Sequence, residues 1–408
     1  MTEAVIVATA RSPIGRAFKG SLADVRPDDL AAHVIGAALA SVPSLDPTTI
    51  EDLYLGAWEH SGEQSENIAR RVAVQLGLDT VPGSTVNRAC ASSVQTTRMA
   101  ANAIKSGDGE IFVSAGVECV SRYPRSEGGV GSGDQNFHNP LFASAEQRTA
   151  RLAATNAKWT DPRAEGSLPD VYISMGQTAE NVATQRGISR AEQDEFAARS
   201  QQLAEKAIAD GFFDREIVPF TKADGTVVST DDGPRAGTTV ETLSGLRTVF
   251  REDGTVTAGN ACPLNDGAAA LVLMSDTKAA ELGLQPIARV VATAASALSP
   301  EIMGLGPVQA SRRALAKAGM TISDIDLVEI NEAFAAQVIP SYRELGIDLD
   351  RLNVHGGAIA LGHPFGSTGA RIATTLLHGL QERDGQFGLE TMCVGGGQGM
   401  AIIFERLS

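Results

Sequence analysis

The sequence is poor in the residues and patterns that mark several common classes of protein. Cysteine occurs four times in 408 residues and never as C-x-x-C, so neither a zinc site nor a disulfide framework is predicted. No apolar run is long enough to span a membrane. Basic residues number 34 against 49 acidic ones, and the net charge of −15 argues against nucleic acid or an anionic membrane as the main partner.

The two ends of the sequence show no targeting pattern. Residues 1–8 contain a short apolar stretch without a basic flank, which is unlike a signal peptide. Residues 405–408 do not form a peroxisomal signal. We therefore expect a cytoplasmic protein.

Length and composition predict a globular protein of two or three folding units, with 43% hydrophobic and 20% charged residues. In the first part of the chain, short apolar runs alternate with helical patterns, which is typical of an α/β fold. Strands are expected at residues 5–9, 53–56, 84–87 and 111–117, and helices at 28–41, 65–76 and 91–106. Asp28 is the predicted N-cap of the first helix.

The last part of the chain repeats this order. A predicted helix at 307–319 precedes a strand at 325–330, and a helix at 366–380 precedes a strand at 391–394. The alternative to duplication is that two unrelated segments alternate helices and strands by coincidence. The shared order and spacing of the elements favour duplication. Residues 121–170 are rich in Gly, Ser, Asn, Pro and Arg, so we expect them to form an excursion over the core.

Two residues stand where chemistry could occur. Cys90 lies between a predicted strand and a helix, where unpaired N–H groups and the helix dipole would stabilise a thiolate. The alternative for Cys90 is a small buried hydrophobe. His363 is held between Gly362 and Pro364, which suits a rigid general base, although a lone histidine is more often a satisfied core residue.

Two further residues end predicted strands. Cys393 precedes the glycines of 395–397, where a backbone N–H could point at a ligand and the thiol could carry a proton. No G-x-G-x-x-G opens a helix there, so a dinucleotide site is not predicted. Asn331 ends another strand, and its alternative role is a helix N-cap.

Taken together, these segments resemble the signature blocks of the thiolase family, and the resemblance covers nearly the whole chain. The matching blocks are residues 86–93, 175–183, 254–260, 265–270, 303–307, 331–334, 353–369 and 393–399. The family implies a duplicated α/β/α/β/α five-layer core with an inserted loop domain. The expected division is an N-terminal half (1–121 plus 262–284), a loop domain covering the active site (122–261) and a C-terminal half (285–408).

The resemblance also implies the chemistry, a two-step acyl transfer to and from coenzyme A. Cys90 would be the nucleophile that forms an acyl-enzyme, with His363 as its base. Cys393 would remove or return the proton on the carbon α to the thioester. His363 and a water positioned by Asn331 would form one oxyanion pocket, and the N–H groups of Cys90 and Gly395 the other.

Binding residues and partners follow from the same resemblance. Coenzyme A is expected as a co-substrate, with no tightly bound cofactor and no metal. The expected assembly is a homodimer or homotetramer, with the strand before Cys90 at the dimer contact, and other β-oxidation enzymes are possible partners. The predicted contacts are Arg235 for the adenine end, Thr242, Leu246, Phe250 and Ala258 for pantetheine, and Met175 and Phe334 for the acyl group.

The sequence departs from the family pattern at Ser93, Ser174 and Cys262, and in the length of the segment 118–175. These changes are expected to touch the acyl or pantetheine channel, so we expect longer or bulkier 3-ketoacyl-CoAs to be better substrates than acetoacetyl-CoA. The resemblance therefore implies a 3-ketoacyl-CoA thiolase. The alternatives are an acetyltransferase that forms acetoacetyl-CoA, a decarboxylating ketosynthase, which would want a second histidine in place of Asn331, and an inactive lipid-binding relative.

Overall fold

The computed structural model describes residues 2–126, 129–130, 138–155 and 157–408. Part of the predicted excursion at 121–170 (residues 127–128, 131–137 and 156) lies outside the described residues.

Strands and helices alternate along most of the described chain. The strands are β1 (Ala4–Arg11), β2 (Gly15–Arg16), β3 (Asp52–Gly56), β4 (Gly83–Val86), β5 (Ile111–Cys119), β6 (Arg125–Ser126), β7 (Gly129–Val130), β8 (Phe220–Thr221), β9 (Val227–Val228), β10 (Asn265–Ser275), β11 (Ala288–Ala297), β12 (Leu327–Ile330), β13 (Phe387–Val394) and β14 (Gln398–Arg406). The helices are α1 (Pro27–Ala40), α2 (Ile68–Gln75), α3 (Ser92–Ser106), α4 (Ala143–Thr155), α5 (Met175–Arg186), α6 (Arg190–Ala209), α7 (Val240–Ser244), α8 (Asp276–Glu281), α9 (Gly306–Ala318), α10 (Ala335–Leu345), α11 (Ala358–Leu361) and α12 (Thr368–Glu382). Within the described residues, no helix has both the length and the apolar composition needed to cross a membrane.

The main sheet contains two half-sheets with the same pairing pattern. In the first, β3 is parallel to β5, and β10 lies antiparallel between β5 and β1. In the second, β12 is parallel to β13, and β14 lies antiparallel between β13 and β11. The strand order is β12-β13-β14-β11-β1-β10-β5-β3-β4, with β1 joining β11 across a short pairing of Val5 and Ile6 with Arg289 and Ala288. This repeat confirms the predicted duplication.

Five layers of structure pack around three apolar cores. Helices α1 and α2 cover the outer face of the first half-sheet, and α9 and α10 cover the outer face of the second. Helices α3 and α12 lie between the half-sheets, where residues such as Ile104 and Leu377 share one core. Because α12 packs against neighbouring elements on all sides, most of its residues are buried, including polar ones such as Thr374. The predicted five-layer α/β fold is therefore confirmed.

The start of the first helix differs from the sequence-based prediction. Helix α1 has Pro27 at its first position and Arg26 as its N-cap residue, so the prediction of Asp28 as the N-cap was wrong. Proline fits the first helical position because the N–H that it lacks would have no partner there. The Asp28 carboxylate instead accepts two hydrogen bonds from the Arg26 guanidinium, at 2.8 and 3.0 Å.

The excursion is tied to the second half of the protein at one buried carboxylate. Glu301 lies in the short 3-10 helix Pro300–Leu305 and is 1% exposed. It accepts hydrogen bonds from Arg148 at 2.5 Å, from the Trp159 indole N–H at 2.6 Å and from the backbone N–H of Asp170 at 2.8 Å. Charge-assisted bonds of this kind are strong, so they fix this part of the excursion against the core.

Candidate active site

Cys90 is presented by a strained turn between β4 and α3. The residue before it, Ala89, has φ = 44°, a left-handed conformation that non-glycine residues rarely adopt. The turn is held by Asn87, whose side chain accepts from Ala89 N–H at 2.8 Å, and by Ser92. The Ser92 hydroxyl accepts from the backbone N–H of Arg88 at 2.9 Å and donates to the carbonyl of Ala89 at 2.7 Å. Such strain persists where surrounding structure fixes it, as at functional sites.

The loop before α12 holds His363 in a defined orientation. Its backbone N–H donates to Asn265 at 3.0 Å, and a Cβ at Gly362, whose φ is 108°, would lie 2.6 Å from the same Asn265 side chain. The Thr368 hydroxyl donates to the carbonyl of Pro364 at 3.0 Å, so its oxygen accepts from His363 Nδ1–H at 2.7 Å. This arrangement leaves Nε2 without a proton, as a general base requires.

Asn331 lies against His363. Its Nδ2 is 3.2 Å from His363 Nε2, and its backbone carbonyl accepts from the Gln337 side chain at 2.7 Å. Its Oδ1 is buried and has no partner within the described part of the chain. The alternative role of N-cap does not hold, because α10 begins at Ala335 with Phe334 as its N-cap residue.

The loop after β13 meets the turn of Cys90. Gly395 donates a backbone hydrogen bond to the Cys90 sulfur, and a Cβ at Gly395 would lie 3.6 Å from the Cβ of Ala89. Gly396 and Gly397 follow with φ of 78° and 79°, which allows the tight return into β14. Cys393 itself is 1% exposed at the end of β13.

Most of the predicted site residues line one cavity of about 380 Å³. It is lined by Cys90, His363, Cys393, Met175, Phe250, Ala258 and Phe334. Cys262 also lines it, as do Leu264, Met303 and Phe365, which the sequence analysis did not single out. Within the described residues, no hydrogen bond joins the Cys90 thiol to the His363 ring.

The other predicted coenzyme A contacts lie outside the lining of this cavity. Leu246 is near its edge, since a Cβ at Gly259 would come within 2.5 Å of it. Thr242 sits in α7, where its hydroxyl donates to the carbonyl of Thr239 at 2.8 Å. Burial and the nearby Arg16 lower the pKa of Arg235, so two guanidinium groups lie in the same neighbourhood.

The cavity favours neutral side chains. Burial raises the pKa of Cys90 to about 12, although the Gly395 N–H opposes this rise. Burial and then the charge of Arg371 lower the pKa of His363 to about 3, and burial raises the pKa of Cys393 well above its ordinary value. The expectation of a thiolate stabilised at Cys90 was therefore wrong for the resting site, because desolvation outweighs the helix terminus.

Two of the three substituted positions are not in the lining of this cavity. Ser93 is buried between α3 and α12, where its hydroxyl accepts the backbone N–H of Ala370 at 3.0 Å. Ser174 is an exposed N-cap residue of α5. Of the three, Cys262 alone lines the cavity, so the expectation that all three touch the acyl group is wrong for Ser93 and Ser174.

A buried carboxylate that the sequence analysis missed braces the site. Glu118, at the end of β5, accepts from the backbone N–H groups of Trp58 at 2.9 Å and Gly366 at 2.8 Å. Its other oxygen accepts from Gln64 and from the Tyr123 hydroxyl, both at 2.6 Å, and from Glu59 N–H at 3.3 Å. An acidic residue in a buried strand that is otherwise uncharged was the available signal.

Among the described residues, no cluster of His, Cys, Asp and Glu side chains could hold a metal ion. The site instead combines a thiol on a strained turn, a fixed imidazole, a second thiol and backbone N–H donors. These are the kinds of group that acyl transfer through a cysteine requires.

Comparison with known proteins agrees with this class. The chain matches the thiolase N-terminal domain over residues 4–277 and the thiolase C-terminal domain over 284–406. It is 44% identical to the 3-oxoadipyl-CoA/3-oxo-5,6-dehydrosuberyl-CoA thiolase of Escherichia coli K12 and to the 3-ketoacyl-CoA thiolase of Aeromonas salmonicida, over 100% of each chain. The crystal structure of the Bacillus anthracis acetyl-CoA acetyltransferase superposes with a TM-score of 0.86 at 42% identity, covering 100% of this chain and 99% of that one. The chain belongs to the thiolase family and is an acyltransferase.

Proposed function

We propose that this enzyme is a 3-ketoacyl-CoA thiolase that cleaves its substrate through an acyl group carried on Cys90. The observation that carries the proposal is the convergence of Cys90, His363 and Cys393 on one apolar cavity. Two thiols and a base are the groups that a carbon–carbon cleavage with a thioester intermediate requires.

In the first half-reaction, His363 Nε2 takes the thiol proton and the Cys90 sulfur attacks the C3 carbonyl of the substrate. The C2–C3 bond then breaks, its electron pair forms the enolate of acetyl-CoA, and C2 takes a proton from Cys393. In the second half-reaction, coenzyme A attacks the acyl-enzyme, and its thiol proton restores the protonation of the site. Acetyl-CoA and a shortened acyl-CoA are the products.

The electrostatics of the cavity constrain the first step. Because burial disfavours both an isolated thiolate at Cys90 and an isolated imidazolium at His363, the two charges must form together as an ion pair. The backbone N–H of Gly395 already donates to the Cys90 sulfur, which supports its proposed role in one oxyanion pocket. The unpartnered Oδ1 of Asn331 supports the positioning of a water beside His363 in the other pocket.

The roles of the two thiols are tested by transfer of radiolabelled acetyl from acetyl-CoA to single variants. Cys90→Ala should neither be labelled nor turn over. Cys393→Ala should still be labelled, but its turnover should fall by about 10²–10⁴-fold, the usual size of an acid–base contribution. Cys119→Ala is the matched control, since Cys119 is buried outside the cavity lining. Labelling of Cys90→Ala but not of Cys393→Ala would reverse the assignment.

The nearest alternative is an acetyltransferase that makes acetoacetyl-CoA with the same residues, and a comparison of cleavage rates across acyl chain lengths separates the two. A decarboxylating ketosynthase is less well supported, because Asn331 rather than a second histidine lies beside His363. An inactive lipid-binding relative is opposed by the complete set of Cys90, His363 and Cys393.

Coenzyme A binding and assembly are part of the proposal. Arg235, Thr242 and Leu246 would contact the nucleotide and pantetheine outside the cavity. The edge position of β4, with every residue of the strand partly exposed, supports pairing of two copies through this strand into a homodimer or a dimer of dimers. An active monomer in sedimentation at assay concentration would contradict this assembly.

The division into residues 1–121 plus 262–284, 122–261 and 285–408 is proposed as well. It is supported by the return of β10 to the first half-sheet. The cytoplasmic location and association with other β-oxidation enzymes stay predictions.

A further inference from the structure

A buried arginine lies one helical turn beyond the residue that orients His363. Arg371, in α12, is 2% exposed, and its Nε and Nη1 have no hydrogen-bond partner within the described ranges of the chain. Residues three apart share a face of a helix, so Arg371 lies on the face of Thr368, whose oxygen accepts from His363 Nδ1–H at 2.7 Å. Burial and then the charge of Arg371 lower the pKa of His363, so the guanidinium acts on this imidazole.

Two buried glutamates face this arginine from neighbouring strands. Glu329 of β12 and Glu390 of β13 are partners in the parallel register, so their side chains lie side by side on one face of the sheet. Leu327 and Met392, two residues away on the same strands, pack in the core that α12 shares, so this is the face that α12 covers. Glu329 and Glu390 are 3% and 1% exposed, and Oε1 of Glu390 has no hydrogen-bond partner among the described residues.

The strand of Glu329 also connects this pair to the active site. Asn331, two residues further along the same face of β12, has its Nδ2 3.2 Å from His363 Nε2. His363 therefore lies between Asn331 and Thr368, and behind these two residues, on the same faces of β12 and α12, are Glu329 and Arg371. A change of charge at the pair occurs close behind the imidazole.

The two glutamates are too close together and too buried to be ionised together at neutral pH. Burial raises the pKa of Glu329 to about 8, although the charge of Arg371 opposes this rise. Burial raises the pKa of Glu390 well above its ordinary value, Arg371 opposes the rise, and the charge of Glu329 adds to it. Arg371 itself stays charged, because a guanidinium does not lose its proton in proteins.

The other charged groups around this cluster have bonds of their own. These groups are Arg11, Glu216, Asp231, Glu332, Arg199 and His378. Arg11 is bonded to Glu216 at 2.6 Å and to Asp231 at 2.8 Å, and His378 Nδ1 lies 3.6 Å from Glu216. Glu332 accepts from the Ser200 hydroxyl at 2.6 Å, and Arg199 donates to the carbonyl of Leu352 at 2.7 Å. Replacement of Glu390 changes none of these bonds, so it isolates the pair.

We propose that Glu329 and Glu390 are positioning residues that set the strength of His363 as a base, acting through Arg371. At neutral pH the pair keeps a proton, and Arg371 opposes positive charge on the imidazole. When the pair loses that proton at higher pH, the added negative charge offsets Arg371 and makes His363 a better acceptor of the Cys90 proton. The inference rests on the proposed role of His363 and adds to it a control of its strength.

The proton on the pair is measured by the pH dependence of unfolding. The folded state holds a proton that the unfolded state, with an ordinary glutamate pKa of about 4.3, has lost, so stability falls as the pH rises until the pair ionises. Between about pH 5 and 7, the unfolding equilibrium constant of the wild type should increase by a further factor of about ten per pH unit compared with that of Glu390→Gln. Met392→Leu, a change at the neighbouring side chain on the same face, is the control and should keep the wild-type slope. Equal slopes for the wild type and Glu390→Gln would overturn the inference.

The effect on His363 is measured by the rate at which iodoacetamide alkylates Cys90. The ratio of the wild-type rate to that of Glu390→Gln should increase about 3–10-fold from about pH 7 to 9, on either side of the pKa of Glu329. On a His363→Ala background, Glu390→Gln should leave the rate unchanged, because the pair acts through the imidazole. A constant ratio over this range, or an effect of Glu390→Gln that persists without His363, would also overturn the inference. Equal alkylation rates for the wild type and His363→Ala, together with the expected unfolding slopes, would instead contradict the proposed role of His363 and leave the proton on the pair standing.

Discussion

Replacement of Glu118 by glutamine should disturb both the fold and the active site. The carboxylate accepts five hydrogen bonds from three separate parts of the chain, residues 58–64, Tyr123 and Gly366. Gly366 lies three residues after His363, so this bond fixes the loop that carries the proposed base. Glutamine has nearly the same shape, but it has one acceptor oxygen where glutamate has two.

The size of the effect follows from the bonds at each oxygen. One oxygen accepts the N–H groups of Trp58 and Gly366, and the other accepts from Glu59, Gln64 and Tyr123. The glutamine NH2 group must replace one of these two oxygens. At least two N–H or O–H donors would then point at this NH2 group, which cannot accept a hydrogen bond from them. At about 1–3 kcal/mol for each unsatisfied group, the loss is about 2–6 kcal/mol in the free energy of unfolding.

Thermal unfolding and steady-state kinetics measure the two consequences. We expect Glu118→Gln to lower Tm by about 2–7 °C, because the entropy of unfolding of a 408-residue chain is large. Its kcat should fall by about 10–100-fold, because small displacements of a catalytic group have effects of that order. Glu110→Gln is the matched control, since Glu110 is exposed just before the same strand and should change stability by no more than about 0.5 kcal/mol. If the two variants had the same Tm and kcat, the five bonds to Glu118 would not be holding the loop of His363.

Three further variants test other parts of the structure. Arg235→Gln should raise the KM for coenzyme A about 3–10-fold with kcat unchanged, since removal of an exposed charged contact to the adenine nucleotide end costs roughly 0.5–1.5 kcal/mol. A fall in kcat with KM constant would contradict this role. Glu301→Gln should speed proteolysis within residues 138–170, as Arg148 loses its charged partner, and an unchanged digestion pattern would show that the excursion is held elsewhere. Burial raises the pKa of Asp266 to about 6 from an ordinary value near 3.8, so the folded state holds this proton more tightly than the unfolded state. As Asp266 ionises, the free energy of unfolding therefore falls progressively from about pH 4 to 6, by roughly 3 kcal/mol in total. Asp266→Asn should reduce this loss over the same pH range. Equal pH profiles of Tm for the variant and the wild type would refute the argument.

The positions of the chemical groups could be predicted because local sequence marks them. Cys90, His363 and Cys393 each follow or precede a strand or helix boundary, and the glycines around the last two allow close approach of the backbone. Gly362 can be no other residue at φ = 108° beside Asn265. Such constraints act within a few residues, so they are visible in the chain itself.

The supporting contacts could not be predicted because their partners are far apart in sequence. Glu118 and Gly366 are separated by 248 residues, and Arg148 and Glu301 by 153. The direction of the pKa shift at Cys90 was missed for the same reason. A helix terminus can be read from the sequence, but the apolar wall that raises the pKa comes from segments distant in the chain, such as those of Phe250 and Phe334.

The duplication itself explains why one cavity can hold residues from both halves. Helices α3 and α12 occupy matching places in the two halves, and the chain delivers Cys90 just before the first and His363 just before the second. The first turns of these two helices are in contact. Gly369 allows this contact, because a Cβ at position 369 would lie 2.5 Å from the backbone nitrogen of Val94. The Ser93 hydroxyl then accepts the N–H of Ala370, so one helix satisfies an unpaired N-terminal donor of the other. Because the two helix starts are fixed against each other, the thiol and the imidazole are brought to one cavity by the packing of the two halves.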